Sequence, residues 1–392
     1  MSHTFDTYPA TPEPLRVAVV SESPLDYISG VTRSVWHALE YLQEAQYPAL
    51  AICPPPTPDV YANAPVVAAR HLNLRGFNVG LSRPNGSGLI SMLAEADFRP
   101  DVIHNASPFG PLGTAAVAAA ERLDVPCVAV YQTNMPEYFK RSHAGLLAPW
   151  AKHHVASLHN RAALTLAPTN IARQDLVSWG VNEQLIAIWA RGVDAKLFNP
   201  ERRDTPAVQE LRQQIAPHGE PIVGYVGRLA PEKQVGRLAA LKGINAKVMV
   251  VGKGPEEAAL RSQLDNAVFV GEKRDGALAD AYSALDIFVH TGTNETFGQT
   301  LQEAMASGKP VIAPHAGGPI EIVHHEESGY LYNPDRDQGF RAYVEKLLDD
   351  QPLRTKMGET GRQLVLPRSW HALCETLVER HYRSAIHSST AR

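Results

Sequence analysis

Short apolar, β-branched runs alternate along this chain with longer amphipathic stretches. Leu15–Ser21 (LRVAVVS) is the first, followed by Pro48–Cys53, Asp101–His104, Val125–Tyr131, Leu164–Pro168 and Leu185–Trp189. Runs of this kind predict strands buried on both faces, and the stretches between them predict helical crossovers, so the pattern reads as βα units around a parallel sheet. The pattern breaks at 198–220, where prolines mix with charged residues. It restarts at Ile222–Gly227 and continues through Lys247–Gly252, Ala267–Val270, Ile287–His290 and Val311–Ala313. Such a restart predicts a second domain. The expected architecture is α/β, with two doubly wound, Rossmann-like domains: 1–200, then 201–368, with a terminal helical segment 369–392 packing back on the N-terminal domain. Ligands of such sheets bind beyond the carboxyl ends of the strands, so a cleft between the two domains is the expected site.

A length of 392 residues suits two domains. The net charge of −4 offers no basis for a nucleic-acid partner. Cys53, Cys127 and Cys374 are too scattered for a zinc or disulfide framework, which fits a reducing, cytoplasmic setting. The opening MSHTFDTYPATPEP lacks the basic and apolar regions of a signal peptide, and no run reaches the ~18 apolar residues of a membrane span. A membrane would be met only from its surface.

The loop after the first strand, Ser21 to Ser34, reaches Gly30 without G-x-G-x-x-G spacing, and G-x-x-x-x-G-K-[ST] is absent throughout. A dehydrogenase or P-loop enzyme is therefore disfavoured. Gly30 either permits the turn into a helix or lets the loop approach a phosphate or an acceptor. His104 ends a strand at the expected cleft, and reads equally as a hydrogen-bonded structural histidine.

Two segments of the second half carry the chemistry. In Gly227-Arg-Leu-Ala-Pro-Glu-Lys233, Arg228 and Lys233 follow a strand; they read as cations for a departing diphosphate or as solvated surface charge. In Asn294-Glu-Thr-Phe-Gly-Gln-Thr-Leu-Gln-Glu303, a loop is expected to enter a helix at about Thr296 and to stop at Gly308. Glu295 in the loop and Glu303 two turns deeper are each suited to accept from vicinal hydroxyls of a sugar or ribose. The backbone N–H groups of Phe297, Gly298 and Gln299 would face the diphosphate. The alternative is a carboxylate matched to the helix dipole and a solvated Glu303.

Five motifs occur in family order: Gly-Arg-Leu-x-x-x-Lys at 227–233, Val-Gly-Lys-Gly-Pro at 251–255, Val-Gly-Glu at 270–272, Asn-Glu-Thr-Phe-Gly with its eight-spaced glutamate at 294–303, and Gly-Lys-Pro-Val-Ile-Ala…Gly-Gly at 308–318. Over nearly the whole chain the sequence resembles glycosyltransferase family four, retaining enzymes of the GT-B fold. The resemblance implies that Arg228 and Lys233 hold the donor diphosphate, Glu295 faces the transferred sugar and Glu303 binds the ribose. It also implies that Val270 to Lys273 line the base pocket, that Gly30 approaches the phosphate, and that Gly227, Gly252 and Thr296 to Gln299 belong to the donor site. No metal and no cofactor is implied beyond the nucleotide-sugar co-substrate. Many members carry a histidine in the segment matching Tyr131-Gln-Thr-Asn134; here the position is Gln132, which cannot exchange protons near neutral pH. Gln132 and Asn134 are thus expected on the sugar or acceptor side without a general base. The narrower resemblance is to actinobacterial GDP-mannose-dependent α-mannosyltransferases acting on glycolipids related to lipomannan. The rivals are UDP-sugar-dependent sulfoquinovosyl- or glucosyl-diacylglycerol synthases and, in a different class, a non-catalytic nucleotide-sugar-binding protein.

Residues 138–174 contain no acid but carry Lys140, Arg141, Lys152, Arg161 and Arg173. Leu147, Ala151, Val155, Leu158 and Ala162 recur at helical spacing. The segment reads either as an ordinary crossover helix or as a basic amphipathic face for an anionic membrane, which would place the protein in the cytoplasm, peripheral on the inner face of the cell membrane.

Overall fold

A computed structural model describes residues 14–27, 29–74, 77–141 and 145–390, in two compact units. Residues 1–131, 157–166 and 374–392 form the first, and 132–156 with 167–373 the second. The division differs from the expected boundary at 200. Gln132, Thr169, Asn170, Arg191 and Gly192 all exchange hydrogen bonds with residues of 296–321, which groups them with the second unit. Such bonds leave no periodic trace in sequence.

The second unit is built on a parallel sheet in the order Ala267–Gly271, Lys247–Val251, Ile222–Val226, Ile287–Val289, Val311–Pro314, Gly329–Tyr332. Alternate residues serve two cores. Ile222 and Val226 pack on one face with Met249, Val251 and Phe288, whereas Val223 and Tyr225 pack on the other with Val248, Val250, Ile287 and Val289. Helices on both faces explain why these strands read as continuous apolar runs. Ranked by sequence, the order is 3-2-1-4-5-6, so it reverses between Ile222–Val226 and Ile287–Val289, the position where doubly wound sheets bind ligands. The sixth strand, Gly329–Tyr332, is not among the apolar runs expected from the sequence. Gly329 is there because a Cβ would lie 2.0 Å from the Val311 carbonyl oxygen of the neighbouring strand.

In the first unit the parallel order is Leu164–Ala167, Cys127–Val130, Val102–Asn105, Val17–Val20, Ala49–Cys53, Ala64–Ala68, with Val60–Tyr61 antiparallel at the end. Its reversal lies between Val17–Val20 and Val102–Asn105. There Glu22, just past the first strand, accepts the Gly113 N–H at 2.7 Å, near the start of the helix Pro111–Leu123. Burial pushes the Glu22 carboxyl up to about 7, against backbone hydrogen bonds from Gly113 and Leu112. The terminal helical segment, Trp370–Thr376 continuing through a π-helical turn to Arg383–Thr390, contributes Cys374 onward to this unit.

Candidate functional site

The two loops that leave the second sheet at its reversal are 227–234 and 290–295, and they are laced together. The Thr291 hydroxyl donates to the Lys233 carbonyl at 2.7 Å, and the Gln234 side-chain amide donates to Thr293 Oγ1 at 2.9 Å. Glycines make this approach possible. A Cβ on Gly252 would sit 1.9 Å from the Gly227 carbonyl oxygen, so the ends of two adjacent strands stay in register only with glycine there. Gly317 and Gly318 clamp the other side: the Gly318 N–H donates to the Glu295 carbonyl at 2.8 Å, and a Cβ on Gly318 would lie 2.2 Å from the Phe297 carbonyl oxygen.

Lys233 and Glu295, expected as separate contacts for phosphate and sugar, are a direct ion pair. Burial pushes the Glu295 carboxyl up, but Lys233 and His290 outweigh it and hold it below the usual carboxylate range. Arg228 is nearly half exposed and pairs with Glu232 one turn on. The structure thus keeps two lysine/arginine–carboxylate pairs at the sheet reversal. His290, which follows the strand Ile287–Val289, was not singled out in the sequence; no motif marks it, and only the fold brings its ring to 3.6 Å from Glu295.

The helix beyond Glu295 runs Gln299–Ala306 and so begins later than the expected Thr296. Gly298 is the reason: its φ of 106° is left-handed and cannot belong to the helix. Thr296 instead donates its hydroxyl to the Gln132 carbonyl at 3.1 Å and accepts from the Thr169 hydroxyl at 3.0 Å. Phe297 is core, and the Gln299 side chain donates to the Gly192 carbonyl at 2.9 Å. Glu303 lies on the helix as expected but is 2% exposed and accepts from the Tyr282 hydroxyl at 2.8 Å. Val270 sits on the strand Ala267–Gly271, and Lys273 lies just beyond it, half-buried.

Of the residues expected on the sugar or acceptor side, Gln132 Oε1 accepts from Arg191 Nη2 at 2.6 Å, and Asn134 Oδ1 accepts the Glu137 N–H at 3.1 Å. A cavity of about 570 Å³ opens here, with Asn134, Lys140, Lys152, Trp179, Glu295 and Thr296 in its wall. His104 is corrected: it is completely buried in the first unit's sheet, with Nδ1 2.9 Å from the Tyr382 hydroxyl, and serves the core. Gly30 opens the helix Gly30–Glu44 behind the cap Ser29. It lacks a positive φ, and a Cβ there would meet nothing within 4 Å, so the turn itself does not demand glycine.

The basic segment 138–174 is corrected in part. Leu147 does not belong to the helical stripe: it ends a 3-10 turn ahead of the helix Ala148–Arg161 and is exposed, with Leu146 and Trp150. Two of the segment's cations find acids outside it: Arg161 binds Glu121 through two hydrogen bonds, and Arg173 pairs with Glu183 at 2.8 Å. Among the described residues, no group of three or more His, Cys, Asp or Glu is placed to hold a metal ion, and no helix is long and apolar enough to cross a membrane.

Two doubly wound domains are the architecture of GT-B glycosyltransferases. The chain superposes on sucrose-phosphate synthase from Thermosynechococcus elongatus with a TM-score of 0.80 at 20% identity, covering 95% of this chain and 100% of that one. It superposes on HepE of Anabaena, in complex with UDP and glucose, with a TM-score of 0.77 at 20% identity, covering 93% and 98%. Residues 28–197 match the family described as Glycosyltransferase Family 4, and residues 208–364 that described as Glycosyl transferases group 1. The chain belongs to glycosyltransferase family four and is a hexose-transferring enzyme. It is 38% identical to a GDP-mannose-dependent alpha-mannosyltransferase of Mycolicibacterium smegmatis, covering 95% of this chain and 98% of the relative. A protein of the same name from Corynebacterium glutamicum is also 38% identical, over 95% and 90%. A sulfoquinovosyl transferase of Arabidopsis thaliana is 31% identical, over 95% and 74%.

Proposed function

We propose that this enzyme transfers mannose from GDP-mannose to a lipid-linked acceptor, with retention of configuration and without a divalent metal. The observation that carries the reading is the pair of cations Arg228 and Lys233 at the sheet reversal, with Glu295 beside them. The bond from the sugar's anomeric carbon to the β-phosphate oxygen breaks, and its electron pair leaves on the diphosphate. Arg228 and Lys233 stabilise that charge as it grows, together with the backbone N–H groups at the start of the helix Gln299–Ala306. Glu295 accepts hydrogen bonds from sugar hydroxyls and fixes the ring. Because Gln132 cannot take a proton, the departing phosphate accepts the acceptor hydroxyl's proton, and the new bond forms on the face the phosphate leaves. Relatives sharing 38–39% of their residues over most of the chain bear a GDP-mannose-dependent name, which supports mannose and guanine over the UDP-sugar alternative. The cavity beside Glu295 supplies the acceptor side. Exposed Leu146, Leu147 and Trp150 support a surface that meets lipid, at the cytoplasmic face of the cell membrane.

Labelled GDP-mannose and UDP-glucose, each offered with a glycolipid acceptor in vesicles and with or without chelator, test the reading. Labelled lipid is expected from GDP-mannose alone and is expected to survive chelation. Transfer only from the UDP-sugar, or loss on chelation, would overturn it. Flotation with anionic vesicles tests the membrane contact: Leu146→Ser with Trp150→Ser is expected to abolish it.

A further inference from the structure

His290 is 2% exposed, and neither of its ring nitrogens has a hydrogen-bond partner within 3.5 Å among the described residues. Buried polar groups are ordinarily paired, so such a ring calls for a reason. It stands behind Glu295 rather than in the wall of the cavity. Its Nε2 faces Glu295 Oε1, the same oxygen that Lys233 holds, at 3.6 Å, just beyond hydrogen-bond reach. Burial drives the ring's pKa down to about 4; Glu295 pulls it up, Lys233 pushes it down and the Gly292 backbone raises it slightly. The ring is therefore neutral, with one N–H to give.

Lys233 serves two anions in the reading proposed above. As negative charge grows on the departing diphosphate, the ammonium is drawn toward it, and a largely buried Glu295 would lose its partner. An unpaired buried carboxylate is costly. We infer that His290 is a positioning residue for Glu295: its Nε2–H takes up the carboxylate as Lys233 turns to the donor phosphate. Closing from 3.6 Å to about 2.8 Å asks only a small swing of the ring. Glu295 thus keeps its aim at the sugar at the moment Lys233 is most needed elsewhere. The inference rests on the donor roles assigned to Lys233 and Glu295.

Two variants of the full chain test it. His290→Phe keeps the ring's bulk and loses the donor; His290→Gln places an amide N–H where Nε2 stood. Both are expected to bind GDP as the parent does, by calorimetry. His290→Phe is expected to lower kcat for GDP-mannose about 10- to 100-fold, the worth of a hydrogen bond to a charged group, with KM little changed, and His290→Gln to recover most of it. Unchanged kcat in His290→Phe, or an equal loss in both, would overturn the inference. The parent enzyme gives a second reading that does not depend on the variants folding. With ¹⁵N-labelled histidine, saturating GDP is expected to fix His290 as the Nε2–H tautomer, and an unaltered ring spectrum would overturn the inference. Absence of GDP binding in the parent would instead remove the donor reading on which it stands.

Discussion

Arg191 donates from Nη2 to Gln132 Oε1 at 2.6 Å. Arginine carries no acceptor, so the amide oxygen must face it and the amide nitrogen must face away. The glutamine is thereby oriented as a donor. Arg191 is 6% exposed, lies 5.3 Å from the Trp189 ring, and its backbone carbonyl accepts from Gln302. Gln132 is in this way tied to the helix that carries Glu303.

Arg191→Met releases the amide to rotate. Its kcat/KM for transfer is expected to fall about tenfold or more, corresponding to about 1.4 kcal/mol or more of lost transition-state stabilisation. Gln132→Glu pairs with Arg191 at least as well but offers no N–H donor, so it is expected to keep the parent's thermal midpoint while losing transfer. Steady-state kinetics beside a melting curve separate the two effects, and parent-like kinetics in both variants would contradict the assignment.

Lys233→Met removes the partner of a largely buried carboxylate. A destabilisation of about 1–3 kcal/mol is expected, with weaker GDP binding. Glu295→Gln leaves the cation in place; GDP should bind undiminished while turnover of GDP-mannose drops at least about a hundredfold. Calorimetry with GDP reports the first variant and donor turnover the second. Equal damage to binding in both would mean that the pair acts as one phosphate site.

Gly318→Ala forces a methyl group against the Phe297 carbonyl, 2.2 Å away, in the turn that holds Glu295. About 1–3 kcal/mol of stability is expected to be lost. Activity should fall further than stability accounts for, because the displaced segment carries Glu295. Gly30→Ala makes the contrast, since a Cβ there meets nothing. It should fold as the parent does, and any change in its donor KM would report a ligand approaching that helix start.

Glu22 supplies a pH dependence with a definite sign. Its folded pKa, about 7, is raised above the ordinary 4.5, so between those values the folded state binds more protons than the unfolded. Stability therefore falls as pH rises from about 4.5 to 7, by no more than about 3 kcal/mol. Glu22→Gln keeps an oxygen for the Gly113 N–H and is expected to flatten that slope. Denaturant midpoints at pH 5 and pH 7.5 suffice, and identical slopes in both proteins would refute it.

Much of this enzyme could be read before its fold was known. Strands such as Ile222–Val226 and Lys247–Val251 announce themselves because buried parallel strands must be apolar throughout. The motif residues Arg228, Lys233 and Glu295 could be found because each lies in the segment that follows a strand's carboxyl end. The strand Gly329–Tyr332 could not, since glycine marks both turns and close strand contacts. The later helix start was equally hidden, as it depends on the left-handed backbone of Gly298.

The sequence by itself determined two doubly wound domains, through local periodicity, and the family, through the resemblance of its motifs. A linear chain carries both openly. Tertiary structure alone decided which charges meet. Arg161 left the basic segment's face for Glu121, His104 went to Tyr382 across 278 positions, Glu321 capped the helix at Asn170, and His290 came to rest behind Glu295. Pairings of this kind depend on where distant strands and loops end in space. Hydrogen bonds and ion pairs act over a few ångströms whatever the separation along the chain.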